Sequence, residues 1–103
     1  SVEDPVYGDV QAAPDEYELA QNFPNPFNPE TKIRFSLPES GFVTLKIYDV
    51  TGRLISTLLN EQINAGNHEV VFNSSESNLP SGIYIYRLTA DKFSASGKMV
   101  LLK

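Results

Sequence analysis

Residues 41–59, GFVTLKIYDVTGRLISTLL, decide how this chain reads. Val43, Leu45 and Ile47 alternate with Thr44, Lys46 and Tyr48, and a period of two marks a strand with one buried face. β-Branched and aromatic residues suit that pleated surface. Asp49-Val50-Thr51-Gly52 reads as a turn, in which the Asp49 carboxylate bonds backbone two residues on and Gly52 takes the left-handed conformation. Residues 53–59 run back as the partner strand. A hairpin alone is marginal in water, so the rest of the chain must pack on this ribbon or pair with its edges.

Working outward, residues 31–37 alternate cleanly, with Ile33, Phe35 and Leu37 inward and Lys32, Arg34 and Ser36 outward. Residues 17–21 read as a short first strand, with Tyr17, Leu19 and Gln21 on one face. Between these lies Asn22-Phe23-Pro24-Asn25-Pro26-Phe27-Asn28-Pro29, whose prolines forbid regular helix and central strand. It reads as a rigid plug with Phe23 and Phe27 as its two apolar anchors. Its alternative, a preformed recognition surface, is weakened by Asn-Pro and Pro-Asn steps that favour turns over a continuous polyproline helix.

Downstream, Gly66 marks a turn into the strand at residues 68–72, where His68, Val70 and Phe72 share a face. Residues 73–78, NSSESN, read as a polar loop, and Leu79-Pro80-Ser81-Gly82 as a turn. Residues 83–90, IYIYRLTA, put Tyr84, Tyr86 and Leu88 on one face. Residues 93–103 read as a last strand pair or one bulged strand. The apolar run between Lys98 and Lys103 predicts burial on both faces. Short strands at regular spacing without a helical segment predict an all-β fold, an immunoglobulin-like antiparallel β-sandwich of about seven strands. The Cys-Trp-Cys core of antibody domains is absent.

The chain has 103 residues, no cysteine and a net charge of -5. That length supports one core without cross-links. Charge is uneven: residues 1–18 hold six acids and no base, leaving seven acids and eight bases for the remainder. An acidic tail on a nearly neutral body argues against nucleic acid as a partner. No apolar run approaches the ~20 residues that span a bilayer, and no signal-peptide pattern is present. Residues 1–16 read as a Pro-punctuated spacer, or as a docking tail whose apolar residues Val2, Val6, Tyr7 and Val10 engage either its own domain or a neighbouring chain.

Catalysis has few candidates. His68 is the one histidine, and its alternation with Val70 and Phe72 places it at the edge of the core. A serine nucleophile lacks a second imidazole as base. The carboxylates of the body fall in separate turns and strands, and no glycine loop fits a phosphate. The expectation is a protein without enzymatic activity and without a metal or cofactor.

Several pieces, in order, resemble one family. Residues 19–29 (LAQNFPNPFNP), residues 33–38 (IRFSLP), residues 48–53 (YDVTGR), residues 65–68 (AGNH), residues 79–88 (LPSGIYIYRL) and residues 98–103 (KMVLLK) are similar to the C-terminal sorting domains of type IX secretion cargo, of the common type A. The resemblance covers residues 18–103, leaving residues 1–17 as an acidic linker or docking tail. It implies an immunoglobulin-like sandwich, similar also to a domain of flagellar hook-capping proteins. It implies export across the outer membrane, with the outer-membrane secretion machinery and a surface sortase as partners, and a secreted or cell-surface location. On this resemblance the sorting signal is Lys98, Met99, Val100, Leu101, Leu102 and Lys103. The fold-defining motif is Pro24, Asn25, Pro26, Phe27, Asn28, Pro29, Gly52, Gly82 and Tyr84. Sortase cleavage would fall within residues 1–18. Because little of the sequence lies outside the sorting domain, it is either the sorting part of a longer product or a domain that is itself the product. The second case predicts a self-assembling surface filament or adhesion subunit, built by adding the tail as a strand to a neighbouring sandwich. A carbohydrate-binding sandwich is a third reading, resting on Tyr84 and Tyr86 sharing a face.

Overall fold

The computed structural model describes residues 14–103. Along them run seven strands: β1 (Glu18–Leu19), β2 (Glu30–Leu37), β3 (Gly41–Asp49), β4 (Leu54–Ile63), β5 (Gly66–Asn73), β6 (Gly82–Ala90) and β7 (Phe93–Leu101). They make two sheets, ordered β1-β2-β5 and β4-β3-β6-β7. Every pairing between these strands is antiparallel. The all-β sandwich expected from the alternation is the architecture observed.

The alternation works because each sheet buries one face. Ile33, Phe35 and Leu37 of β2, Val43, Leu45 and Ile47 of β3, and Tyr84, Tyr86 and Leu88 of β6 all point into the space between the sheets and are buried. Phe72, Met99, Leu101 and Phe27 complete that core, with the Phe27 ring edge-on to Phe72 at 6.0 Å between centroids. Each such side chain contributes about 1.5–3 kcal/mol by leaving water.

The β3–β4 turn forms as its residues dictate. One Asp49 carboxylate oxygen accepts from the Thr51 amide at 2.9 Å, the Thr51 hydroxyl at 2.6 Å and the Arg53 amide at 3.1 Å. Gly52 has φ +90°, where a side chain would be strained. The Thr51 hydroxyl, then the turn amides and the Arg53 guanidinium, hold the Asp49 carboxyl below its ordinary range. Arg34, aided by Lys32, does the same for Glu69 on the other sheet. A carboxyl depressed on folding stabilises fully above its unfolded value and loses that contribution as pH falls through its folded value. Thermal stability should therefore decline on acidification below about pH 4, the unfolded carboxylate range. Asp49→Asn should flatten that decline in pH-dependent melts, and an unchanged acid limb would refute the assignment.

Several details differ from the sequence reading. β4 runs to Ile63, four residues past the expected end, and register shifts interrupt its pairing with β3 at Leu45/Lys46 and Ile47/Tyr48. β1 is only two residues long and ends before Gln21, which is exposed. The polar loop after β5 contains a single 3-10 turn, Ser74–Glu76, capped by the Asn73 side chain. Residues 93–101 form one continuous strand rather than a pair. β7 is the edge strand of its sheet, and its apolar end is buried on one face only: Met99 and Leu101 point inward, whereas Val100 is half-buried and Leu102 is 55% exposed. Phe23 is also not an anchor; its ring is 74% exposed and Phe27 alone enters the core.

Candidate functional site

The residues singled out at the two ends of the sequence meet at the free edge of β7. In its hairpin with β6, alternate residues of β7 turn their backbone groups toward β6, and the others turn them outward. The proline loop takes up those outward groups. The Val100 amide donates to Asn25 Oδ1 at 2.8 Å, and the Val100 carbonyl accepts from the Phe27 amide at 2.9 Å. The Leu102 amide donates to the Phe27 carbonyl at 3.1 Å, making Phe27 and Leu101 a parallel bridge. The Lys98 carbonyl accepts from Gln21 Nε2 at 2.8 Å. Beyond the strand, the Lys103 amide donates to Ser81 Oγ at 3.0 Å.

Proline suits the loop because it offers no amide that would need a partner, while Asn25 and Phe27 supply the groups that bond. The loop is tied down by Asn22, whose side chain is buried. Its Nδ2 donates to Thr31 Oγ1 at 2.9 Å and to the Pro24 carbonyl at 3.2 Å, and its Oδ1 accepts from Gln21 at 2.6 Å. The Asn22 amide donates to the Tyr86 hydroxyl at 3.1 Å, and that hydroxyl donates to the Ala20 carbonyl at 2.8 Å. Tyr86 reaches this loop across β7 only where residue 97 is glycine, since a Cβ there would collide with its ring. Burial pushes the Tyr86 phenol above its ordinary value. Neither Asn22 nor Gly97 stood out in the sequence; the sole signal for Gly97 is a glycine in the middle of an otherwise regular strand.

The other fold-defining residues gather at the same end. Gly82, with φ +151°, pairs with Leu101. Tyr84 is buried, and its hydroxyl donates to the Pro80 carbonyl at 2.7 Å, bracing the turn that carries Ser81. Gly52 lies in the β3–β4 turn, next to the Asp49–Tyr84 cross-strand pair. The six terminal residues thus divide. Met99 and Leu101 are core, Val100 is half-buried, and Lys98, Leu102 and Lys103 are exposed. This end of the molecule holds an extended terminal strand against a loop and displays the outward side chains. Val6, Tyr7 and Val10 lie outside the described residues. Tyr84 and Tyr86 face the core, so they offer no aromatic platform for a sugar.

A model of the secretion system C-terminal sorting domain matches residues 21–102, from the loop's glutamine to the end of the terminal strand. The chain belongs to this family. Its role is that of a C-terminal sorting signal for type IX secretion, which acts with the secretion machinery to send a protein to the cell surface or the medium. The sorting domain is similar in fold to part of dimeric latent PorU from Porphyromonas gingivalis, with TM-score 0.64 and 23% identity over 89% of this chain and 10% of that one. It is also similar to part of PorZ, an essential bacterial surface component of the type IX secretion system of the same organism, with TM-score 0.55 and 22% identity over 86% of this chain and 12% of that one. The chain thus spans about a tenth of the solved chains it resembles. No curated protein matches it significantly.

Proposed function

We propose that the sorting domain presents residues 98–103 as a preformed extended ligand, and that the secretion machinery reads the outward side chains Lys98, Leu102 and Lys103. The observation that carries this reading is the loop clamp on Val100 and Leu102, which fixes the terminal backbone before any partner arrives. Fixing it in advance lowers the ordering cost of recognition. Gly82 and Tyr84 act through the fold, by setting the turn that holds Lys103. His68 fits a structural place in this reading: its ring stacks on Phe35 at 5.3 Å, and its Nε2 bonds with the Asn64 carbonyl at 2.7 Å.

In this reading a surface sortase separates the domain from its cargo within residues 1–18, and the product is attached to the cell surface or released. Self-assembly through the tail is the competing outcome. Light scattering separates the two, because a tail that adds as a strand to a neighbour gives large assemblies and a linker gives monomers. The export reading is tested by fusing a reporter to the domain and deleting residues 99–103. The reporter should stop in the periplasm, and normal secretion of that fusion would overturn the proposal.

A further inference from the structure

The two outer faces of the sandwich differ in how they treat charge. On the three-stranded sheet the outward cations Lys32 and Arg34 both meet Glu69, at 3.7 and 2.9 Å. Glu18 and Glu30 point outward on that sheet too. The outward positions of the four-stranded sheet carry Lys46, Arg87 and Lys98 and no acid. Among the described residues none of these three cations has a carboxylate within ion-pair distance. Lys46 and Arg87 are moreover direct cross-strand partners. Like charges in that position destabilise a sheet.

Beside them lies a shallow groove of about 380 Å³, bordered by Tyr48, Val50, Ile85, Arg87 and Ser96. Val50 is 69% exposed. The acid at its rim, Asp49, is already engaged by Arg53 at 3.2 Å and by its own turn. The face is therefore apolar and cationic at once.

We propose that this face is a docking surface for the acidic N-terminal stretch of the same chain, residues 1–13. Charge complementarity selects that occupant. The stretch holds Glu3, Asp4 and Asp9 and no base, and intersperses them with Val2, Val6, Tyr7 and Val10. It joins the described structure at Pro14, which borders a recess with Glu18, Ser36 and Asn67 on the outward face of the three-stranded sheet. Thirteen extended residues reach roughly 45 Å, and the sheets of a sandwich lie about 10 Å apart. The stretch can thus pass around the edge to the opposite face. Tethering gives it an effective concentration of order millimolar, so weak contacts suffice to keep it bound.

The test is amide NMR on the full chain. Raising salt to about 1 M, where charges are screened beyond roughly 3 Å, should move the Lys46, Tyr48, Arg87 and Ser96 amides together. Neutralising the stretch with Glu3→Gln, Asp4→Asn and Asp9→Asn should move the same amides at low salt and abolish their salt response. Reversing charge on both sides, with Lys46→Glu and Arg87→Glu on the face and Glu3→Lys, Asp4→Lys and Asp9→Lys in the stretch, should restore that response. Amides unmoved by the tail substitutions would overturn the proposal. Shifts that scale with protein concentration would overturn it as well, by assigning the face to a second copy.

Discussion

Gly97→Ala should cost the domain about 3 kcal/mol or more, although it adds one methyl group to an edge strand. Gly97 and Tyr86 are cross-strand partners on the inward face, and the Tyr86 ring lies across the glycine on its way to the loop. A Cβ at residue 97 would fall inside the contact distance of the ring carbons and the hydroxyl, so the ring must swing away. It then loses its bonds with the Ala20 carbonyl and the Asn22 amide. Buried polar groups left without partners cost roughly 1–3 kcal/mol each. For a domain of this size the expected fall in melting temperature is on the order of 10–20 °C. A double-mutant cycle isolates the cause. In a Tyr86→Ala background the same Gly97→Ala substitution should be nearly neutral, because there is no ring to displace. A melting temperature unchanged by Gly97→Ala in the parent would refute the account.

That glycine also marks where sequence reading stops. Strands β2, β3 and β6 were legible because each buries one face, and burial writes a period of two directly into the residues. The β3–β4 turn was legible because Asp49 and Gly52 each answer a local backbone demand. What stayed hidden depends on partners far away in the chain. Phe23 and Phe27 are equally apolar and sit in near-identical Asn-Pro surroundings, yet only Phe27 is aligned to bridge Leu101. Asn22 reads as one more polar loop residue until Thr31 and Tyr86 are brought around it. The terminal strand misled for a related reason. An unbroken apolar run suggests two buried faces, but here the second demand on it comes from its edge, where backbone rather than side chains must be satisfied. The site was therefore legible as a set of motifs, and its division into inward and outward residues was not.

That division yields the sharper test of function. Deleting residues 99–103 removes Met99 and Leu101, both fully buried, so lost export in that variant mixes a missing signal with a damaged core. Truncating either core side chain alone typically costs 2–5 kcal/mol. Replacing only the exposed side chains, with Lys98→Ala, Leu102→Ala and Lys103→Ala together, keeps every backbone bond that clamps the strand. Exposed substitutions of this kind usually change stability by no more than about 0.5 kcal/mol each. The triple variant should therefore melt within a few degrees of the parent, while export of a fused reporter falls at least about tenfold, the equivalent of losing 1.4 kcal/mol of recognition. The converse variant, Met99→Leu, conserves core volume and leaves the displayed side chains in place, so export should persist. Full export of the triple variant would show that the machinery reads the folded sandwich rather than the strand's outward side chains. Lost export with a collapsed melting temperature would show that those side chains hold the fold.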